Sequence, residues 1–290
     1  MSLESGHWQT HIYGAQSTVL RPGKLLKGIW NDIVSSRQLA MILAVRDLRA
    51  QYRQSFLGLF WILAPPIVIA VGLSVAQQNG LVDFGTAKIP NGAFIMIGVS
   101  IWQVFATAVS GPLNVMGSYK GVLTKVVVPP EAIVVSSLVK LGITMALQMM
   151  LIVFTFLWFH LPFMPTTLLG IPALFVVAMF GTAVGLLITP VGLLYRDIAL
   201  AIPIIEKGWL IVTPAVAVPK HLPPGGVYAF VSRINPMSPL VTTTRQLVAG
   251  ETLTQLPQFF LVMVLMVVLL ILGLVLVRVS MPLIIERWSA

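Results

Sequence analysis

The chain has 290 residues, of which 57% are hydrophobic and only 9% charged, with a net charge of +9 and no cysteine. Soluble globular domains carry roughly 25% charged residues, so this composition excludes an ordinary water-soluble fold, and the missing cysteines exclude disulfides, thiolate nucleophiles and cysteine metal sites. The positive charge is spread through loops and the N-terminal region and forms no patch with interleaved aromatics, which argues against nucleic acid as a partner.

Residues 1–55 are polar or mixed and lack the apolar core of a secretory signal, so insertion is expected to use the first true span. Residues 1–35 read as a cytoplasmic tail and residues 36–55 as an interfacial helix. Within that helix Met41, Val45, Leu48 and Tyr52 fall within about 40° of one another at 100° per residue, and Arg46, Arg49 and Arg53 lie to one side. Such a stripe suits the acyl boundary, with the arginines among anionic headgroups, each worth about 1 kcal/mol. A plain positive-inside anchor accounts for it equally well.

Residues 56–290 are expected to form an all-α domain of six transmembrane helices, at about 56–76, 93–115, 132–159, 167–194, 199–218 and 258–280. With both termini on the cytoplasmic side, thirteen Lys and Arg fall inside and four outside (Lys88, Lys220, Arg233, Arg245). This bias places both ends in the cytoplasm of a multi-pass inner-membrane protein. Lys140 falls inside the third span, where it either snorkels toward the interface or serves as a buried functional lysine.

Two inner loops follow the second and fourth spans. The first, Ser118-Tyr119-Lys120-Gly121-Val122-Leu123-Thr124-Lys125, is a short amphipathic stretch closed by Pro129-Pro130; the second is Tyr195-Arg196-Asp197-Ile198. Both are candidate docking points for a cytoplasmic partner, or simple connectors. The segment between the fifth and sixth spans is too apolar for a solvated domain; its Pro and Gly punctuation and Asn235-Pro236 suit two short helices forming a re-entrant hairpin.

The acidic residues lie in loops or near span ends, the histidines His7, His11, His160 and His221 are scattered, and no GxxxxGK[ST] phosphate loop occurs. Catalytic residues, a metal site and a cofactor in this chain are therefore not expected, and neither is an intramembrane carboxylate of the kind ion-coupled carriers use. What remains is a transport path moved by something that docks on the cytoplasmic face. Trp61, Trp102, Phe105, Trp209, Tyr228 and Phe230 are candidates for stacking sugar rings along such a path; interfacial aromatic belts explain the same residues.

The stretch RDLRAQYRQSFLGLFWILAPP, Arg46 to Pro66, resembles the start of permeases of the type-2 ABC exporter family that move O-antigen polysaccharides, and of related teichoic-acid exporters. LTKVVVPP at Leu123–Pro130, LLYRDI at Leu193–Ile198 and INPMSPLV at Ile234–Val241, with Arg245 downstream, follow in the family's order. The chain departs at Val127-Val128-Pro129-Pro130, where the family more often has an aromatic and a basic residue around one proline. The resemblance implies a homodimer with two copies of a separate ATPase subunit that binds ATP and Mg, exporting lipid-linked polysaccharide. It also implies that Ser118, Tyr119, Lys120, Leu123, Thr124 and Lys125 belong to a coupling helix, with Tyr195, Arg196 and Asp197 forming a second contact. The Arg37–Gln54 helix would position the ATPase, and Pro223–Ala249 would narrow the outer exit. Teichoic acid, capsule or another amphiphile is the alternative cargo within this architecture. A passive channel or an ion-coupled carrier is the alternative outside it.

Overall fold

The computed structural model describes residues 22–53, 55–81, 89–125, 128–216 and 226–289, with side chains except at 22–27, 30, 52 and 227–229. Among the described residues all regular structure is helical. The helices, in chain order, are α1 (Pro22–Ser35), α2 (Arg37–Tyr52), α3 (Ala64–Gln78), α4 (Asn91–Ser118), α5 (Lys120–Leu123) and α6 (Pro130–Trp158). They continue with α7 (Gly170–Leu194), α8 (Arg196–Val212), α9 (Val227–Ile234), α10 (Met237–Ala249) and α11 (Leu256–Ser289). The start of the predicted hairpin, 219–225, and the side chains of Tyr52 and Tyr228 lie outside the described residues.

Among the described residues four helical segments are long and apolar enough to cross a membrane: Asn91–Ser118, Pro130–Trp158, Pro165–Leu194 and Leu256–Ser289. They match the second, third, fourth and sixth predicted spans. The first and fifth are shorter than expected. Pro65 and Pro66 open α3 in its first turn, where a missing N–H costs nothing, so the α-helix starts there and a 3-10 turn, Gly58–Ile62, precedes it. At the other end of the bundle α8 stops at Val212, because Pro214 disfavours helical backbone at Thr213, whose ψ is 138°.

α4 is the central helix, packed between α3, α6 and α7, while α7 packs in turn on α11. In the apolar window of α4, 67% of residues are buried, against 17% in α11, which therefore lies at the periphery. The α4–α7 seam is built from small residues. A Cβ on Gly185 would run into the backbone carbonyl of Val109, and one on Gly181 would lie 2.8 Å from the carbonyl of Phe105, so two glycines one helical turn apart bring the backbones together. In lipid, where apolar surface gains nothing by leaving its solvent, such close approach supplies the dispersion contact that holds helices together. The core around the seam comprises Ile101, Phe105 and Ala108 of α4, Leu174, Val177 and Phe180 of α7, and Met237 and Leu240 of α10. Outward faces stay apolar: Val71 of α3, Ile204 and Ile211 of α8 and Leu261 of α11 are all more than half exposed.

The helix α1, within the segment read as a tail, was not anticipated. Its signal is present in the sequence as Leu25, Leu26, Ile29, Trp30 and Ile33 at helical spacing, opened by Pro22 at the first helical position.

Candidate functional site

Two ends of the bundle carry polar structure. At the end where α1, α2 and α5 gather, the first loop folds as a single turn. Tyr119 caps both the end of α4 and the start of α5. Leu123 is buried among Met116, Ile133, Met281 and Ile284, whereas Lys120, Gly121, Val122 and Lys125 are exposed. Ser118 is exposed and donates to the carbonyl of Val115 at 2.7 Å, and Thr124 reaches back to Lys120 and Gly121. The turn thus has one apolar anchor and a basic outer face. Lys120 stands over the Trp288 ring at 5.3 Å, so the last turn of α11 borders it.

The second loop is the single extended residue Tyr195, whose N–H bonds the carbonyl of Val191 at 2.9 Å. Tyr195, Arg196 and Asp197 are exposed at this same end, with Asp197 in the first turn of α8, where a negative charge meets the positive end of the helix dipole. Lys207 and Glu206 both sit inside α8, although the acidic residues were expected in loops or near span ends. Glu206 is pulled inward because α8 begins at Arg196.

The helix α2 presents two faces. Ala40 and Ala44 are fully buried and Asp47 largely so, its side chain 12% exposed, and this face packs on α6. Met41, Val45, Arg46, Arg49 and Arg53 lie on the exposed side. Asp47 accepts a 2.8 Å hydrogen bond from the Tyr119 hydroxyl and sits 3.1 Å from the Lys140 ammonium, while the Arg46 guanidinium lies 4.7 Å from the centre of the Tyr119 ring. Burial, reinforced by the neighbouring carboxylate, pushes the Tyr119 hydroxyl up from 10.0 to about 12. Lys140 is therefore paired within the protein. A second ionic node lies beside the first: Arg278 of α11 bridges Asp32 of α1 and Glu131 of α6, both at 2.9 Å. α1 passes over it at Gly28, where a Cβ would lie 3.5 Å from the guanidinium. Neither node was foreseen, because each joins residues far apart in sequence.

At the opposite end α10 is buried along nearly its whole length. Asn235, in the break between α9 and α10, accepts from the Trp209 indole at 2.8 Å and from the Met237 backbone at 2.9 Å, and donates to Thr213 at 2.9 Å. Arg245, 5% exposed, donates to the Pro214 carbonyl at 2.7 Å and stacks over Phe94 at 3.5 Å. The backbone of Ala215 runs against Gly98 so closely that no Cβ fits there. The end of α8 is thereby gripped by α10 and α4. Gly250, left-handed at φ 70°, closes α10, and Glu251 N–H returns to the Gln246 carbonyl at 2.8 Å.

Of the candidate aromatics, Trp102, Phe105 and Trp209 form one cluster, with ring centroids 5.1–6.2 Å apart. Trp102 and Phe105 are buried inside the chain, Trp209 half-buried over them, and Trp61 and Phe230 exposed on the surface. Among the described residues no group of three His, Asp or Glu side chains is placed to hold a metal ion.

No protein-family profile matches the chain. It is 25% identical over 224 residues to the O-antigen export system permease protein RfbA of Myxococcus xanthus, covering 73% of this chain and 80% of that protein. To the Klebsiella pneumoniae protein of the same name it is 22% identical over 218 residues, covering 74% of this chain and 82% of its relative. The resemblance carried by the motifs is thus borne out: the chain is similar in sequence to two proteins named as O-antigen export permeases.

Proposed function

We propose that the chain is the membrane-spanning permease subunit of an ATP-driven exporter, working as a homodimer with two copies of a separate ATPase, and that it moves lipid-linked polysaccharide of the O-antigen kind across the inner membrane. In this reading α3 with its preceding 3-10 turn, about 33 Å of helix at 2.0 and 1.5 Å per residue, and α8, about 26 Å, complete six spans. The paired helices α9 and α10 form the re-entrant hairpin. ATP and Mg belong to the partner; this chain's part is to receive the stroke and open a path.

The observation that carries the reading is α5. A one-turn helix with a buried leucine anchor and an exposed lysine, followed by a second exposed lysine just past its end and strung between two long apolar helices, has the form of a lever that a partner can push, and the chain's relatives are named as export permeases. The force passes through Leu123 into the cluster joining α4, α6, α7 and α11. α8 fully buries only Ile202 within its length, so among the spanning helices it is one with room to swing. Its departure uncovers Trp102 and Phe105, which then offer stacking faces to sugar rings.

Purification of the tagged, detergent-solubilised chain from its native host tests this directly. A stoichiometric ATPase is expected to accompany it, and Lys120→Glu with Lys125→Glu is expected to abolish that association and export while leaving insertion intact. A clean preparation without an ATPase, or normal export by the double variant, overturns the reading.

A further inference from the structure

The Asp47 node sits where the proposed lever is hinged. Tyr119 is 2% exposed, and α4 ends and α5 begins on it, so the direction in which α5 leaves the bundle depends on where this one side chain is held. What holds its hydroxyl is not a neighbour in sequence but Asp47, 72 residues earlier. The same carboxylate faces Lys140, which lies about 15 Å along α6 from its first residue at 1.5 Å per residue. Three elements therefore meet on one carboxylate: α2, the α4–α5 hinge and α6.

Anchoring α2 does not by itself require this chemistry. Ala40 and Ala44 already pack that helix against α6, and a buried ion pair is a weak source of stability compared with apolar packing of similar volume. A carboxylate shared between a hydroxyl on one oxygen and an ammonium on the other does something packing does not: it fixes direction, because each contact is lost when its own partner rotates away. The Arg46 guanidinium over the Tyr119 ring adds a further contact to the same side chain.

We propose that Asp47 is a positioning residue for energy coupling, holding Tyr119 and Lys140 together so that a push on α5 is delivered to α6 and α2 as one body and is not absorbed at the Tyr119 hinge. The proposal rests on the reading of α5 as the lever.

The test uses the permease with its co-purified ATPase, in inverted membrane vesicles from the native host that carry the host's own lipid-linked glycans. Glycan enclosed in the vesicle lumen is measured per ATP hydrolysed. Asp47→Asn is expected to keep the ATPase bound and hydrolysing while export per ATP is lost. Tyr119→Phe, which leaves the Asp47–Lys140 pair intact and removes one oxygen, is expected to lower the ratio in the same direction by a smaller factor, and it serves alone if the Asn variant does not assemble. An unchanged ratio in Tyr119→Phe, or a fall in the amount of complex with no fall in export per ATP, overturns the proposal. Absence of any ATPase with the unaltered chain is a different result and strikes the reading of α5 itself.

Discussion

Replacing Arg278 by methionine removes the cation from the node with Asp32 and Glu131 while keeping an apolar stem of similar length. The two carboxylates lose unequally. The Asp32 side chain is 26% exposed, so its contact is shared with solvent and is worth no more than about 1 kcal/mol. The Glu131 side chain is 6% exposed, and stranding a carboxylate at such a site costs about 3–5 kcal/mol. Protonation of the stranded group limits the loss, because neutralising costs less than keeping a buried charge; the expected destabilisation is therefore near the low end, about 3 kcal/mol. Adding Glu131→Gln removes the stranded charge and should return the double variant to within about 1 kcal/mol of the original chain. The assay is reversible unfolding of the purified protein in mixed detergent micelles of increasing SDS content. If Arg278→Met unfolds at the same SDS fraction as the unaltered chain, or if Glu131→Gln restores nothing, the node does not hold α1, α6 and α11 together as argued.

Three further substitutions probe the rest of the framework. Gly185→Ala places a methyl group against the carbonyls of Val109 and Ala108, which are backbone and cannot turn aside, so a loss of about 1–3 kcal/mol is expected in the same unfolding assay; an unaffected variant would mean the α4–α7 seam is not closed. Asn235→Ala leaves the Trp209 indole and the Met237 N–H without their acceptor, while the Thr213 hydroxyl keeps its bond to the Trp209 carbonyl; at about 1–3 kcal/mol for each buried group left unpaired, it is expected to free the end of α8, read as increased protease cleavage near Thr213. Tyr119→Phe gives a pH signature. Because the folded-state value of Tyr119 is raised from 10.0 to about 12 by burial and by Asp47, its contribution is complete below pH 10 and is lost as pH rises toward 12. The stability difference between the unaltered chain and Tyr119→Phe should hold constant through neutral pH and shrink only in that alkaline window; closure of the gap by pH 8 would contradict the hydrogen bond to Asp47.

The sequence shows the long helices clearly because runs of apolar residues beyond the roughly 20 needed to span hydrocarbon are diagnostic by themselves. It is less clear where proline sets the boundary. Pro65, Pro66 and Pro214 trim the first and fifth spans, and hydropathy averaging runs straight across them. The break at Asn235-Pro236 was legible as a turn, but the three hydrogen bonds that Asn235 makes were not, since they depend on what lies opposite. Buried aromatics mislead for a related reason. Lipid is as apolar as the core, so Trp102 inside the bundle and Trp61 on its surface look alike in one dimension. The glycines at 181 and 185 did carry a readable signal, the spacing of small residues one turn apart, and it marks an intramolecular seam.

The distribution of polar contacts bears on which parts can move. Charged ties occur at the α5 end, where Asp47, Lys140, Asp32, Arg278 and Glu131 join α1 and α2 to α6 and α11. Neutral and arginine ties occur at the other end, where Asn235 holds Trp209 and Thr213 and Arg245 holds Pro214 just past the end of α8. Between them α4 and α7 touch backbone to backbone, which leaves no slack for sliding. A bundle fastened in this way does not deform evenly. A less tightly fastened element is α8 between Tyr195 and Thr213, held at its ends, with Ile202 fully buried and Ile198, Ala199, Trp209 and Leu210 packed on the core only in part. On the reading of α5 as a lever, α8 is a yielding helix for its motion to act on. If α8 is that element, Asn235→Ala, which loosens its far end, should raise ATP-independent leakage of polar solutes without lowering ATPase association, whereas Gly185→Ala, which disturbs the fixed seam, should lower the yield of folded protein and leave no leak in the fraction that folds.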